Sequence, residues 1–130
     1  MLIDTNALIW YALAPEQLTK KAASAIRGRG NFYSYVSLWE MAIKSSLGKL
    51  GLRGEGGRPS SAKQFMLRLV RDLALTPLVL EFDDLADVEA LPWHHRDPFD
   101  RLLVVQARRT KLGIVSSDAV FEKYGIARVW

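Results

Sequence analysis

Residues 97–107 read Asp97-Pro98-Phe99-Asp100-Arg101-Leu102-Leu103-Val104-Val105-Gln106-Ala107, and they carry a complete helix start signal. Asp97 is a favoured N-cap residue, and Pro98 suits the first helical position because its missing N–H would have no partner there. Asp100 falls in the first turn, close to the positive end of the helix dipole. Side chains 102–105 are all apolar, so the helix has no polar face in that stretch. We therefore expect a buried helix whose acidic end faces a cleft, and its two carboxylates to be either caps or metal ligands.

The composition is that of a globular domain. The chain has 130 residues, 49% of them hydrophobic and 25% charged, and we expect one domain over residues 1–130. It contains no cysteine, which excludes disulfides and thiolate metal sites. Its start does not resemble a signal peptide and no apolar run reaches the length of a membrane span, so we expect a cytoplasmic protein without membrane contacts. The net charge of +4 favours a polyanionic partner such as nucleic acid.

Short apolar stretches alternate with helical patterns along the whole chain. This alternation predicts an α/β protein, a three-layer α/β/α sandwich with a mainly parallel central sheet. Residues 48–61 contain five glycines and a proline, and they predict a flexible surface loop. Trp10 and Trp39 are expected in the core, because they occur at helical spacing among apolar residues. We expect strands at 1–3, 32–36, 78–82, 113–116 and 127–130. We expect helices at 7–13, 19–26, 37–47, 61–73, 83–91, 98–111 and 119–124.

Four acidic residues stand near predicted strand ends or at the start of the buried helix. Asp4 stands just past the end of the first predicted strand, and Asp118 stands just past the end of the fourth. Glu40 lies one helical turn beyond another strand, and Asp100 stands at the head of the buried helix. In parallel sheets, ligand sites lie beyond the carboxyl ends of the strands. A sheet of this kind would bring the four carboxylates together.

Each acid also has a purely structural interpretation. Glu40 could complete a capping box with Ser37, and Asp97 is favoured as a cap because proline follows it. Four converging carboxylates would repel one another, whereas a hard cation such as Mg²⁺ or Mn²⁺ removes that repulsion. The only histidines, His94 and His95, stand just before the buried helix. We expect them to lie in a loop there, and not to bind zinc or to take part in catalysis.

A carboxylate-bound divalent cation in a basic domain indicates phosphodiester chemistry. The metal can activate water and offset charge on the phosphate, and one carboxylate can act as a general base. Lys44, Arg96 and Arg101 stand among the residues placed to contact phosphate, although each could equally be a solvated surface charge.

Four motifs follow one another along the chain. They are Met1-Leu2-Ile3-Asp4-Thr5-Asn6, Ser34-x-x-Ser37-x-Trp39-Glu40, His95-x-Asp97-Pro98-Phe99-Asp100-Arg101-Leu102-Leu103 and Ser116-Ser117-Asp118. In this order and spacing they resemble the motifs of PIN-domain ribonucleases. The strongest resemblance is to the VapC-like toxins of bacterial toxin–antitoxin pairs, and it covers nearly the whole chain.

The resemblance implies a PIN-like fold and a metal-dependent endoribonuclease that leaves a 5′-phosphate and a 3′-hydroxyl. It implies Mg²⁺ or Mn²⁺ as the cofactor, RNA as the substrate, a cognate antitoxin as a partner, and a homodimer. The implied catalytic and metal-binding acids are Asp4, Glu40, Asp100 and Asp118. Asp97 is implied as a secondary ligand or only a cap, and Thr5 and Ser117 as small polar residues that orient the site.

Two other functions fit parts of the sequence. A domain that only binds RNA or a protein partner would share the basic charge, but it has little use for converging acids. A phosphatase of the haloacid-dehalogenase type expects a second aspartate where Asn6 stands, and a receiver domain expects a late lysine that is not evident.

Overall fold

The central sheet of the computed structural model, which describes residues 1–130, has five strands. They are β1 (Leu2–Ile3), β2 (Phe32–Ser34), β3 (Thr76–Leu78), β4 (Ile114–Val115) and β5 (Arg128–Val129). Their spatial order is β3-β2-β1-β4-β5, and every neighbouring pair is parallel. The predicted parallel sheet is therefore confirmed, and each connection between neighbouring strands crosses over rather than forming a hairpin.

Seven helices connect the strands. They are α1 (Thr5–Leu13), α2 (Lys20–Arg27), α3 (Tyr35–Ser46), α4 (Ala62–Leu73), α5 (Phe82–Ala90), α6 (Pro98–Thr110) and α7 (Val120–Lys123). All seven predicted helices are present, with ends within two residues of the expected positions. None of them has both the length and the apolar character that a membrane-spanning helix needs.

The two faces of the sheet pack against different helices. Ile3 and Val115 belong to a core cluster with α1, α2 and α4, whereas Leu2 and Ile114 belong to a second cluster with α6 and α7. Successive side chains of a strand point to opposite faces, so even a two-residue strand contributes to both cores. In α6, every residue from Arg101 to Ala107 is buried, as the apolar run predicts. The sandwich therefore has helices on both faces.

The start of α3 differs from the prediction. β2 ends at Ser34, whose hydroxyl accepts a hydrogen bond from the Val36 N–H at 3.0 Å and caps the helix, which begins at Tyr35, two residues earlier than expected. Ser37 consequently lies inside the helix. The structural interpretation of Glu40 as the partner of Ser37 in a capping box is therefore wrong.

The third strand, predicted at 78–82, occupies Thr76–Leu78 instead. The Glu81 N–H donates to Asp84 Oδ2 at 2.9 Å, and this capping contact begins α5 at Phe82. Local hydrogen bonding by the aspartate side chain therefore places Phe82, the last residue of the predicted strand, in the first turn of α5.

Segment 48–61 forms a turn anchored to the core. Leu52 is buried in the first core cluster, and its carbonyl accepts a hydrogen bond from the Ser60 N–H at 3.1 Å. Gly56 and Gly57 both have positive φ, 65° and 74°, which glycine adopts without steric penalty. Two of the glycines therefore serve a tight turn, and the flexibility of the segment stays a prediction.

An ion pair between a buried aspartate and a solvent-exposed arginine joins α5 to α6. Asp84 is fully buried, and Arg109 donates to both of its carboxylate oxygens, through Nε at 2.7 Å and Nη2 at 3.0 Å. Each group satisfies the other, so removing only the arginine leaves an uncompensated buried carboxylate.

Arg109→Gln is expected to lower the free energy of unfolding by about 2–3 kcal/mol. The value lies at the low side for broken buried pairs, because the Arg109 side chain is 31% exposed and partly solvated already. Urea denaturation measures the change, with Arg108→Gln on the exposed neighbouring residue as the control. A loss below about 1 kcal/mol would show that the pair contributes no more than a surface salt bridge.

Candidate active site

Two of the predicted acids lie at the same edge of the sheet. Asp4 follows β1 and Asp118 follows β4, and these adjacent strands are parallel. Asp4 is 4% exposed, and the hydroxyl of Ser116 donates to its Oδ2 at 2.7 Å. The same Ser116 oxygen accepts the backbone N–H of Asp118 at 3.1 Å. Ser116 therefore links the two acids, a role that sequence reasoning missed.

Asp100, in the first turn of α6, is the electrostatic centre of the acidic residues. Burial raises the pKa of Asp100 to about 8, and neighbouring negative charges add to this effect. Burial also raises the pKa of Asp4 to about 6, an effect that the Glu40 charge increases. The four predicted acids therefore lie close enough to repel one another. In decreasing order of effect, the charges acting on Asp100 are those of Asp4, Asp97, Glu40 and Asp118.

His95 lies between two of the acids. Its Nε2 is 3.3 Å from Asp100 Oδ2 and 3.2 Å from Asp118 Oδ2. These three side chains offer donor atoms that all lie within 4.8 Å of one another, and Asp4 and Glu40 stand outside this tight group. The sequence predicted the histidines only as loop residues, and it did not predict that His95 lies beside Asp100 and Asp118. The available signal was its place at the head of the motif that contains Asp97 and Asp100.

Glu40 is held by a lysine from its own helix. Glu40 is buried, and the Nζ of Lys44, one turn further along α3, lies 2.6 Å from its Oε1. The Lys44 ammonium also lies 3.4 Å from Asn6 Oδ1. The positive charge of Lys44 offsets much of the negative charge of Glu40. Glu40 therefore repels the other carboxylates less than it would without the lysine.

Asp97 is the N-cap of α6, the structural role that its sequence position indicated. Its Oδ1 accepts the Phe99 N–H at 2.8 Å, so it caps α6. Its charge is nevertheless one of those that raise the pKa of Asp100.

Thr5 and Ser117, the two small polar residues expected to orient the site, lie in different environments. Thr5 is buried next to Asp4 in the chain, and its hydroxyl donates to Ser37 Oγ at 3.0 Å, which joins α1 to α3 beside the acids. Ser117 is exposed and its side chain forms no hydrogen bond, whereas the hydroxyl of the neighbouring Ser116 donates to Asp4.

Arg101 does not face solvent, which corrects its expected contact with RNA phosphate. It is 3% exposed, and its guanidinium lies 4.1 Å from the ring centre of Trp93. A buried arginine whose Nη1 and Nη2 groups already donate to backbone carbonyls cannot bind phosphate through them without breaking these contacts. Arg96, in contrast, is exposed and forms no ion pair. The carbonyl acceptors of Arg101 belong to Val88, Leu91, Pro92 and His95.

The expected core position of Trp39 is wrong. The residue is 53% exposed and packs edge-on against the ring of Phe99 at 5.0 Å between ring centres. One aromatic face beside the acidic residues therefore remains open to solvent. Trp10 is partly buried and packs against Trp130 at 5.7 Å.

The side chains at this site fit a hard divalent cation. Their donors are carboxylate oxygens, and the mutual repulsion that raises the pKa of Asp100 is what a positive ion would relieve. Asp100 Oδ1 takes no hydrogen bond from the protein, so one oxygen at the centre of the cluster has a free coordination direction. Without thiolates, the set does not suit a soft metal.

In the metal-free protein, wild type is expected to lose stability relative to Asp100→Asn as the pH rises from about 4 to about 8. Over this window the folded state keeps a proton on Asp100 that the unfolded state has released, so a rise in pH favours unfolding. Urea denaturation in EDTA at both ends of the window measures the difference. Added Mg²⁺ at the upper end should stabilise wild type more than the variant, and parallel pH profiles for the two proteins would contradict the prediction.

Comparison with known proteins agrees with the predicted resemblance. The PIN domain family model matches residues 1–127. No curated protein matches the sequence significantly. A chain in the crystal structure of VapBC2 from Rickettsia felis, bound to a DNA fragment from their promoter, is similar at 12% identity with a TM-score of 0.64, over 98% of this chain and 95% of that one. A chain of FitAB bound to the IR36 DNA fragment is similar at 19% identity with a TM-score of 0.63, over 98% and 92%. The family match over nearly the whole length, together with the acidic residues gathered at the edge of the sheet, shows that this chain belongs to the PIN domain family.

Proposed function

We propose that the protein is a metal-dependent endoribonuclease that acts as the toxin of a toxin–antitoxin pair in the cytoplasm. The observation that carries the proposal is the gathering of Asp4, Asp100, Asp118 and Glu40 at one edge of a parallel sheet. Membership of the PIN domain family and the resemblance of the motifs to VapC-like toxins support the same function. The fold-level likeness to chains of VapBC2 and FitAB is consistent with it.

The acids would hold Mg²⁺ or Mn²⁺. Asp4, Asp100 and Asp118 would be the ligands, with Glu40 beside them. When bound, the ion lowers the pKa of a water molecule and offsets negative charge on the phosphate.

Asp118 is placed to assist the attacking water. Its side chain is 43% exposed, against 22% for Asp100 and 7% for Glu40, so it lies on the side from which a phosphodiester approaches. A carboxylate there can accept the proton of the water that attacks phosphorus. The bond to the 3′ oxygen breaks, and the products carry a 5′-phosphate and a 3′-hydroxyl.

The surroundings of the acids suit a single-stranded polynucleotide. Arg96 is exposed and unpaired, between the two site residues His95 and Asp97. The open face of Trp39, one residue before Glu40, can stack on an unpaired base. Lys44 offers a half-exposed ammonium at the same site, although it is already paired within its own helix.

Arg96→Gln is expected to weaken RNA binding for all sequences alike. Loss of one phosphate contact should also reduce the slope of log affinity against log salt concentration by about 1. Fluorescence anisotropy with a labelled single-stranded RNA measures both effects. Arg27→Gln, on an exposed residue in the last turn of α2, is the control, and an unchanged salt slope in Arg96→Gln would remove this residue from the RNA-binding surface.

Cleavage itself is tested with purified protein and synthetic RNA in Mg²⁺ or Mn²⁺. We expect products with 5′-phosphate ends that are absent in EDTA, and DNA of the same sequence tests the preference for RNA. Cleavage that persists in excess EDTA would overturn the metal requirement. RNA binding without product in either metal would favour the alternative function, a non-catalytic RNA- or partner-binding domain.

The proposed partners are a cognate antitoxin and a second copy of this chain. Val79, Phe82 and Leu85 are exposed apolar residues close together in sequence, and the Phe82 side chain is left 87% exposed. Exposed apolar residues of this size favour a protein–protein contact. Analytical ultracentrifugation tests the homodimer, and a monomer at every concentration would contradict it. Growth arrest on expression, relieved by a co-expressed antitoxin, tests the toxin assignment.

A further inference from the structure

The positive charge of the chain is concentrated in one stretch. Residues 49–72 contain six of its 18 lysines and arginines but two of its 14 acidic residues, which gives the stretch a net charge of +4. The whole protein has the same net charge, so the rest of the chain, which includes the acids of the candidate site, is neutral in sum. The attraction for a polyanion that the composition indicates therefore comes from this stretch.

Within this stretch, the turn at 54–60 and one face of α4 form an open groove, here called the α4 groove. The buried face of the helix packs against the core, so the groove lies on its outer side. The helical wall consists of side chains three and four residues apart, as on a single helix face. Glu55 and Arg58 line the groove from the turn, and Gln64, Leu67, Arg68 and Arg71 line it from the helix.

The arginines of the α4 groove can offer N–H groups to a ligand. Arg58 is exposed, and its side chain forms no ion pair or hydrogen bond. Arg68 donates through Nη2 to the carbonyl of Arg53 at 2.8 Å, which fixes the guanidinium and leaves its other nitrogens free. Arg71 is exposed, and its Nη2 is 3.8 Å from Glu55 Oε1, a surface pair that a phosphate can replace. The planar guanidinium matches the geometry of phosphate oxygens.

The lining of the α4 groove favours a nucleic acid over a protein. Leu67 is its only large apolar side chain, and its other lining residues are charged, polar, glycine or proline. Protein–protein interfaces have a core that is apolar and poor in charge, whereas protein–nucleic acid interfaces are polar and strongly positive. The groove therefore suits a sugar–phosphate backbone.

The α4 groove lies within reach of the acidic site. Arg53 and Arg68 also line a neighbouring depression that includes Tyr11, near the end of α1. Asp4 stands at the start of the same helix. At a rise of about 1.5 Å per residue, Tyr11 is about 10 Å along the helix axis from Asp4. This distance corresponds to about three nucleotides of one stacked strand.

We infer that the α4 groove binds the phosphate backbone of single-stranded RNA beside the cleaved bond, and that it does so without metal. The inference deepens the proposed function and rests on it for the identity of the substrate. The acids repel phosphate until a cation is bound, whereas the arginines attract it in either state. The groove therefore holds the strand and the acidic site cuts it.

Fluorescence anisotropy with a labelled 15-nucleotide single-stranded RNA in EDTA tests the inference. Replacing both Arg58 and Arg71 with glutamine is expected to weaken binding by about 10-fold or more, and to reduce the slope of log affinity against log salt concentration by about 1.5 to 2. The single variant Glu55→Gln is expected to tighten binding by about two- to threefold, because it removes the negative charge opposite Arg71. Effects of opposite sign in the two variants cannot both come from loss of folding.

The matched control is Arg108→Gln combined with Lys111→Gln. Both residues are exposed at the end of α6, which packs on the other face of the sheet, and the control removes the same two charges. An equal loss of RNA affinity in this control would overturn the inference, since only the total charge would then matter. Wild-type affinity and salt slope in the Arg58 and Arg71 double variant, or unchanged affinity in Glu55→Gln, would also overturn it. A double variant that binds RNA like wild type but no longer co-purifies with a co-expressed antitoxin would assign the groove to a protein partner instead.

These measurements separate the inference from the proposed function, because binding in EDTA requires no cleavage. During turnover the double variant should raise KM more than it lowers kcat, since contacts far from the reacting bond are the same before and in the transition state. RNA binding through the groove by a protein that cuts no RNA would refute only the nuclease. RNA cleavage with a wild-type KM in the double variant would refute only the groove.

Discussion

Replacing Asp100 with asparagine is expected to lower the rate of RNA cleavage by at least about 10³-fold. Asp100 combines partial burial, the charges of all the other site acids, and an oxygen free of protein donors, so it is the carboxylate most dependent on the cation. Asparagine keeps the shape and removes the charge. A 10³-fold loss corresponds to about 4 kcal/mol of transition-state stabilisation.

Three measurements make this prediction specific. Single-turnover cleavage with RNA at saturation reports the chemical step, and Mn²⁺ titration reports the loss of metal affinity. Asp87→Asn, on an exposed residue of α5, is the matched control because it makes the same chemical change outside the site. If Asp100→Asn cleaved RNA within about tenfold of the wild-type rate, Asp100 would not be an essential ligand.

Arg101→Gln is expected to lower the free energy of unfolding by about 3 kcal/mol, the largest stability effect that we predict for a single side chain. Arg101 ties the end of α5 and the following loop to α6, with distances from 2.8 to 3.4 Å to its four carbonyl acceptors. A glutamine has a shorter side chain and only two N–H donors, so it cannot satisfy all of them. The change should also weaken Mn²⁺ binding, since one acceptor is the carbonyl of His95.

Urea denaturation of Arg101→Gln measures the stability loss, and Arg96→Gln on the exposed side chain nearby is the control. The experiment also separates the two interpretations of Arg101. If this arginine contacted RNA phosphate, its replacement would weaken RNA binding while leaving stability within about 0.5 kcal/mol of wild type. The buried position in the structure predicts the opposite pattern.

Helix α6, which Asp97 caps, was the most predictable element. Its cap, its proline and its apolar run are local signals, and the structure places its first residue at the predicted position. The predicted strand ends were less accurate, because capping by Ser34 and Asp84 competes with strand extension over only a few residues. Such competition between two local structures is decided by small energy differences, which sequence patterns do not resolve.

Solvent exposure was harder to predict than secondary structure. Arg101 was expected on the surface, but the structure buries it. Trp39 was expected in the core, but the structure exposes it. A charge can be buried if enough carbonyls face it, and an indole can remain exposed if a neighbouring ring covers only one side. Both outcomes depend on neighbours that are not adjacent in sequence.

The sequence by itself determined which residue types stand at the ends of the strands and at the start of the buried helix. Strand direction, helix start and charge are properties of short segments, and they were sufficient to predict that Asp4, Asp100 and Asp118 share one edge of a parallel sheet. Only the tertiary structure decided which groups hold those acids. The hydroxyl of Ser116 reaches Asp4 across 112 positions of the chain, and the ring of His95 reaches Asp118 through the packing of two loops. The physical reason is that a hydrogen bond needs its two groups within about 3 Å, and the folded backbone alone sets that distance.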